Sequence, residues 1–479
     1  MIGDLVSQRR DWIWYVLGVI LTPLLIARLG LSTPQTLAVG GFCIVLFGAI
    51  LFWRYRLAFA FVGVSLLMAA GLLDVPHFVE FAGLDIIIFL VAMMTIIGFL
   101  EQKKFFEWVI DHLLLVVGPH PRRIMIVMMI MAAVSSALVD EVTSILFMVA
   151  AMLNLLEDSK LSPVPFIIML VFTTNIGSSA TVVGNPVGVI IALRSGLTFL
   201  DFIRWATPIT IVVLAVAILI CLAVFAKDIR ALKGVLAGKR GTKHLQHMVE
   251  AEHVTKRGIR IAGWLFGAVI LGLVLHHPLE ELLQLPKNTM LLGVAMLGAG
   301  AALGISGEGA RDLVEKRVDW WTLAFFLMLF ASVGTLKQTG VTGVLAQQII
   351  ELSGGRVPVL TTLFVWSSGV LTSVMDNVLA VATFIPIIHD VSTTGLQTFP
   401  LWWAILMGGT LMGNATLIGS TANIVAVGVL ERRKLGEITF AQWLKPGTLV
   451  AIPTLLIANL LLLAQLPLMP AVIAGPALH

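Results

Sequence analysis

Charge is what this chain has least of. Asp, Glu, Lys and Arg make up 12% of its 479 residues, against about 25% in an ordinary soluble domain. That deficit excludes a soluble enzyme, a nucleic-acid binder and a disordered scaffold. Tyrosine is nearly missing, at two residues. With a mean hydropathy of +1.01, this argues against a β-barrel, whose strands alternate polar and apolar residues. There are two cysteines, Cys43 and Cys221, both inside apolar runs. They read as inert core or lipid-facing residues, and two thiols cannot build the three-thiolate cage that a soft metalloid prefers. No Gly-rich loop ending Gly-Lys-Ser/Thr occurs, so any ATP drive has to come from a separate ATPase subunit. Nothing points to a cofactor. What remains is 58% hydrophobic and reads as an all-α polytopic membrane protein.

Apolar runs fall at 12–29, 36–53, 57–73, 84–100, 124–156, 164–193, 206–226, 261–277, 289–305, 320–337, 359–388, 401–428 and 448–466. Most approach the ~20 residues needed to cross a bilayer. Runs 124–156 and 359–388 are interrupted by Asp140-Glu141 and Asp376-Asn377, leaving arms of 11 to 17 residues. Such arms suit re-entrant hairpins; two short spans joined by an exposed loop are the alternative. Arg9 and Arg10 precede the first run, and no small-residue cleavage site follows it, so it reads as a retained span. With the N-terminus cytoplasmic and both interrupted runs returning to the side they left, 25 of the 31 Lys and Arg fall in cytoplasmic loops. That bias favours about 11 crossings, two hairpins and a C-terminus outside, in a cell (inner) membrane.

The two halves repeat one another. Asp85 and Asp319 each open a span. Ser135 to Val142 matches Leu371 to Val378, and Ala180-Thr-Val-Val-Gly184 matches Ala415-Thr-Leu-Ile-Gly419, all at offsets of 234 to 236. The topology sends the two copies through the membrane in opposite directions. This is the inverted-repeat plan of secondary transporters, whose site lies near the midplane where the repeats meet. The expected organisation is N-terminal helices at 1–80 and a first repeat at 81–226, with hairpin 124–156 and broken helix 164–193. A basic cytoplasmic linker follows at 227–260, then helices at 261–318. The second repeat takes 319–466, with hairpin 359–388 and broken helix 401–428, and a tail ends the chain at 467–479.

The chemistry concentrates in four places. An ionised carboxylate at a span centre costs about 2.5–3.5 kcal/mol on insertion scales. Asp140, Glu141 and Asp376 at the hairpin tips are therefore candidates for proton or ion coupling, since a desolvated carboxylate holds its proton more tightly. Asp at such a tip is also a good helix N-cap, and the two roles are compatible. Thr143 and Asn377 belong to the same tips. The segments 173–186 and 408–423 put Asn175, Ser178, Ser179, Thr181, Asn185, Asn414, Thr416, Ser420, Thr421 and Asn423 inside apolar spans, among glycines and beside Pro186. That reads as two broken helices whose freed backbone groups and polar side chains line a cavity. Close packing of small residues is the rival explanation, but four buried amides need partners that packing alone does not supply. Neither tips nor breaks hold Lys, Arg, Cys or His. Acids and amides without cations suit a neutral polyhydroxyl solute, a proton or Na⁺ better than a polyanion. A Gly-x-Ser-Gly at Gly304-Ile-Ser306-Gly307, with His389 as base, raises an intramembrane protease, which leaves the repeat unexplained.

The tips "VDEVTS" and "MDNVLA", followed by "NIGSSATVVGNP" and "GNATLIGSTANIV", resemble the ion transporter superfamily. More narrowly they resemble the branch of arsenite/antimonite permeases, NhaD-type sodium–proton antiporters and the melanosomal P protein. The resemblance covers about residues 80–430. It implies an inverted-repeat fold with two re-entrant hairpins and two broken helices. It also implies proton- or sodium-coupled transport, with coupling at Asp140, Glu141 and Asp376 and solute bound by the hydroxyl and amide residues above. Two positions depart from the pattern: Glu141 stands where the first tip commonly has Asn, and Gly184-Asn-Pro-Val-Gly188 where Gly-Asp-Pro-Pro-Asn is common. The expected function is proton-coupled efflux of arsenite or antimonite, conferring arsenical resistance. A Na⁺/H⁺ antiporter with sodium held at the tips, or an anion transporter, are the alternatives. Expected partners are the bilayer, the solute and protons, with a homodimer and a separate ATPase subunit left open and nucleic acid excluded.

Overall fold

The computed structural model describes residues 2–157, 159, 161–236, 256–436 and 438–470. Much of the expected linker and tail therefore lies outside the described residues. All regular structure among them is helical. Among the described residues ten helices are long and apolar enough to span a bilayer. Eight coincide with expected crossings. The other two are the first arms of the hairpins, Pro121–Leu138 and Val357–Val374, at 18 residues each. They outrun the expected arm length because each starts with proline in its first turn, ahead of the apolar run, where the missing N–H costs no bond. Run 57–73 forms only the 14-residue helix Arg56–Ala69.

The repeat is explicit in the element order. Leu84–Gln102, Phe105–Val117, Pro121–Leu138, Glu141–Leu155, Val164–Gly177, Pro186–Ser195 and Phe199–Val224 recur as Trp320–Gln338, Val341–Ser353, Val357–Val374, Asn377–Ser392, Phe399–Leu411, Thr421–Arg432 and Phe440–Gln465. Phe105–Val117 and Val341–Ser353 are amphipathic connectors, too short to cross. Lys256–Val274 and Ala226–Leu236 are both helical, so ordered helix extends into the 227–260 stretch from both ends.

Each broken helix is seated on its hairpin through glycine. Val164–Gly177 packs on Pro121–Leu138, and Phe399–Leu411 on Val357–Val374. A Cβ on Gly177 would overlap the Ala133 backbone, and one on Gly408 would overlap the Val365 carbonyl and the Ser368 hydroxyl. The hydroxyls of Thr181 and Thr416 then tie the two breaks to the carbonyls of Ala137 and Ser373, equivalent positions in the two repeats. Gly177→Ala and Gly408→Ala are expected to destabilise the protein by about 1–3 kcal/mol each through overpacking. Gly267→Ala, where nothing lies within 4 Å of an added Cβ, should leave the melting temperature in detergent unchanged. Equal melting temperatures for all three variants would contradict this packing.

Candidate functional site

Four helix N-termini converge where the repeats meet. Glu141–Leu155 and Asn377–Ser392 begin behind the N-caps Asp140 and Asp376, while Pro186–Ser195 and Thr421–Arg432 begin behind Asn185 and Ser420. Each N-terminus carries roughly half a positive charge. Together they let several carboxylates persist at the centre of the molecule without a Lys or Arg at the tips or breaks themselves.

Glu141 is 2% exposed. Its Oε1 accepts from Asn377 Nδ2 at 2.8 Å and Ser420 Oγ at 3.3 Å, and its Oε2 from Ser178 Oγ at 3.2 Å. Asp376 Oδ1 accepts from the Val378 N–H at 3.0 Å, and its Oδ2 from Thr421 Oγ1 at 2.6 Å. Asp140 Oδ1 accepts from the N–H groups of Val142 and Thr143 at 2.8 and 2.9 Å. Pro186 occupies the repeat position of Thr421, so the first break offers Asp140 no hydroxyl, and Asp140 meets the side chain of Thr143 on its own tip instead. Both aspartates thus serve as N-caps, and Asp376 is closed by its threonine.

The four asparagines behave differently from one another. Asn175 Nδ2 donates to Asn414 Oδ1 at 2.7 Å and Asn423 Oδ1 at 2.8 Å. Asn414 Nδ2 donates to the Phe172 carbonyl, and Asn423 Nδ2 to the carbonyls of Gly413 and Thr416. These three form a buried amide knot between the two broken helices. Ser420 Oγ lies 3.0 Å from Asn175 Oδ1 as well as 3.3 Å from Glu141 Oε1, and its one hydrogen serves one of the two acceptors at a time. Asn185 instead caps its own half-helix through the Gly188 N–H at 2.8 Å and donates to Ser178 Oγ at 2.9 Å. Ser179 pairs with Thr210 at 2.8 Å.

A cavity of about 320 Å³ borders this centre. Of the residues expected at a site, Asp140, Glu141, Thr143, Asn185, Asp376, Asn377 and Thr421 line it. Asn175, Ser178, Ser179, Thr181, Asn414, Thr416, Ser420 and Asn423 form the layer behind. Sequence reasoning did not anticipate Glu101, Lys316, Arg317, Asp319 and Thr322, which also line the cavity; Asp319 read only as a helix opener. Arg317 and Glu101 pair at 2.8 Å, with side chains 38% and 35% exposed, at the mouth.

Arg56 was likewise unforeseen, having read only as topology. It is 4% exposed, lies 3.8 Å from the centroid of the Trp53 ring and donates to Thr322 Oγ1 at 2.7 Å. Thr322 donates in turn to Asp319 at 2.6 Å, and the Arg56 charge acts on Asp319 and Asp376.

A second cavity of about 390 Å³ lies at the opposite ends of Leu84–Gln102 and Trp320–Gln338. There Arg194 grips Asp85 through two bonds of 2.9 and 3.0 Å. His389 lines this second cavity, whereas Ser306 bonds back to Ala302 within its own helix, so the protease pairing has no shared site.

Residues 42–408 match the sequence profile of a family described as citrate transporter. The chain belongs to the citrate transporter family. An uncharacterized transporter of Mycobacterium tuberculosis is 32% identical over 381 residues, covering 79% of this chain and 85% of the relative. The human P protein is 24% identical over 446 residues, covering 78% and 52%. The crystal structure of the YdaH transporter of Alcanivorax borkumensis superposes with a TM-score of 0.57 at 16% identity, covering 84% of this chain and 88% of that one, a likeness of fold. This citrate transporter family member is therefore a multi-pass secondary transporter of the ion transporter superfamily and not an enzyme.

The amide knot generates a test. Asn175→Ala strands two buried carbonyl acceptors, at a cost of about 1–3 kcal/mol. It should lower the melting temperature while leaving the KM of any transported solute within twofold. A large KM change at unchanged stability would make Asn175 a solute contact.

Proposed function

We propose that this transporter exports arsenite or antimonite in exchange for inward-moving protons, with Asp140, Glu141 and Asp376 carrying the coupling. The observation behind this reading is the convergence of the three carboxylates on one cavity wall. The wall holds no thiol, and its acids outnumber its bases: Glu101, Asp140, Glu141, Asp319 and Asp376 against Lys316 and Arg317. A free polyanion is repelled there, whereas an uncharged trihydroxide is not. Thr143, Asn185, Asn377 and Thr421 offer hydroxyl and amide partners, each hydrogen bond contributing about 0.5–1.5 kcal/mol. Glu141 links the proton to the conformation. Ionised, it accepts from both repeats; protonated, it loses accepting capacity, and a contact between the halves loosens. Similarity to the P protein supports the branch that the tip motifs resemble.

Two other substrates have observations in their favour. The clustered oxygens of the tips suit Na⁺, giving a Na⁺/H⁺ antiporter. The family's description, with the buried cation Arg56 behind the wall, favours citrate-class anions. Uptake of arsenite, ²²Na⁺ and citrate into everted vesicles under an imposed pH gradient separates the three. Arsenite accumulation is expected, lost by tenfold or more in Asp376→Asn and Glu141→Gln, and retained in the double variant Cys43→Ala, Cys221→Ala. Accumulation of Na⁺ or citrate with none of arsenite would overturn the substrate assignment. Unchanged pH dependence in both acid variants would overturn the coupling role.

We also propose that the basic face is cytoplasmic. Single cysteines at Glu308 and Leu435, in a background without the two buried native thiols, should react with an impermeant maleimide only in everted vesicles. One at Thr394 should react only in right-side-out cells. Labelling of all three from one side would refute the orientation.

A further inference from the structure

A cleft of about 540 Å³ separates the amphipathic helix Phe105–Val117 from the start of the span Lys256–Val274. One wall carries Lys256 and Arg260, exposed and a single helical turn apart, so they share a face. The other carries Trp108 and His112, also a turn apart, with ring centroids 4.3 Å apart. His112 Nδ1 donates to the Trp108 carbonyl at 2.8 Å, which fixes the ring and reserves Nε2 for another partner. At the cleft floor the Phe105 ring rests on the Gly263 backbone, where a Cβ would lie 3.2 Å away. Trp264, 77% exposed, stands at the rim. Among the described residues no carboxylate lines the cleft.

We infer that this cleft binds the headgroup of an anionic phospholipid. Two cations and an imidazole with no opposing acid select a negative ligand. Two indoles, Trp108 on the amphipathic connector and Trp264 about two turns into the span, flank the basic end of that span, and Trp side chains settle at the bilayer interface. Basic pockets between helices at that depth hold phosphate headgroups. A water-soluble anion needs only the cations; the apolar floor of Phe105 and the exposed Trp264 fit the glycerol and first acyl carbons of a lipid. The site belongs to one face alone: the repeat partner of the amphipathic helix, Val341–Ser353, carries neither an aromatic residue nor a histidine.

The purified full chain, in neutral detergent, would be titrated with phosphatidylglycerol or phosphatidylcholine and followed by native mass spectrometry. Phosphatidylglycerol should be retained in preference to phosphatidylcholine. At about 1 kcal/mol for each basic group near a lipid surface, Lys256→Gln with Arg260→Gln should weaken that retention about thirtyfold. Lys256→Arg with Arg260→Lys should keep it within a few fold. That conservative pair, together with an unchanged melting temperature for the glutamine pair, separates loss of binding from loss of fold. Equal retention of both lipids, or undiminished phosphatidylglycerol binding by the glutamine pair, would overturn the proposal. So would thermal stabilisation by millimolar inorganic phosphate equal to that by phosphatidylglycerol, since the ligand would then be a soluble anion. Transport is not read in this experiment, so its outcome is independent of the substrate assignment.

Discussion

One carboxylate holds the centre of this protein together. Glu141 starts the second arm of the first hairpin, and its oxygens accept from the second hairpin tip at Asn377, the first broken helix at Ser178 and the second broken helix at Ser420. All four interrupted elements therefore meet at a single side chain. The arrangement answers a membrane constraint: breaking a helix in hydrocarbon frees N–H and C=O groups that have no water to turn to. Here the N-termini are closed by Asp140, Asp376, Asn185 and Ser420, and the loops are tied back by Thr181 and Thr416. The breaks exist only because these polar groups satisfy one another, and Glu141 is where the two sets join.

This explains which parts of the site were legible in the sequence. The hairpins, breaks and repeat were readable because each leaves a local mark, an acid or an asparagine in an apolar run, at constant spacing. Long-range pairing leaves none. Nothing in the sequence distinguishes Asn185, which borders the cavity, from Asn175, Asn414 and Asn423, which spend their amides on each other 239 and 248 residues apart. Arg56 was missed for the same reason. Its neighbours Arg54 and Tyr55 make it look like an ordinary loop cation, and only the fold lays it against Thr322, 266 residues away.

The absence of cations at the tips and breaks therefore does not mean that the centre lacks compensating charge. Arg56 sits one hydrogen bond behind Thr322 and Asp319, with Trp53 against its guanidinium face. A buried arginine held this way is costly unless acids lie within reach, and Asp319 and Asp376 supply them. Its charge offsets part of the acid excess on the cavity wall without its own guanidinium lining the cavity, and acids still outnumber bases on the wall.

The repeats are also unequal, and the inequality has a physical consequence. Two identical inverted halves would make the inward- and outward-facing states equivalent by a two-fold rotation in the membrane plane, and of equal energy. Three departures remove that degeneracy at the centre and along the pathway. Glu141 faces Asn377 where a symmetric protein would set like against like. Asp376 is closed by Thr421 of the second break, whereas Asp140 has Pro186 in the equivalent place and meets only the Thr143 side chain of its own tip. At the cavities, Glu101 of one mouth pairs with Arg317, whereas the repeat equivalent of Glu101 is Lys337, in the cavity that the Asp85–Arg194 pair borders. Charge thus changes sign between equivalent positions of the two openings. A charged species crossing between the two cavities consequently meets different electrostatics on its two ways out, so affinities and rates differ between the two faces while the imposed gradients set the net direction of exchange.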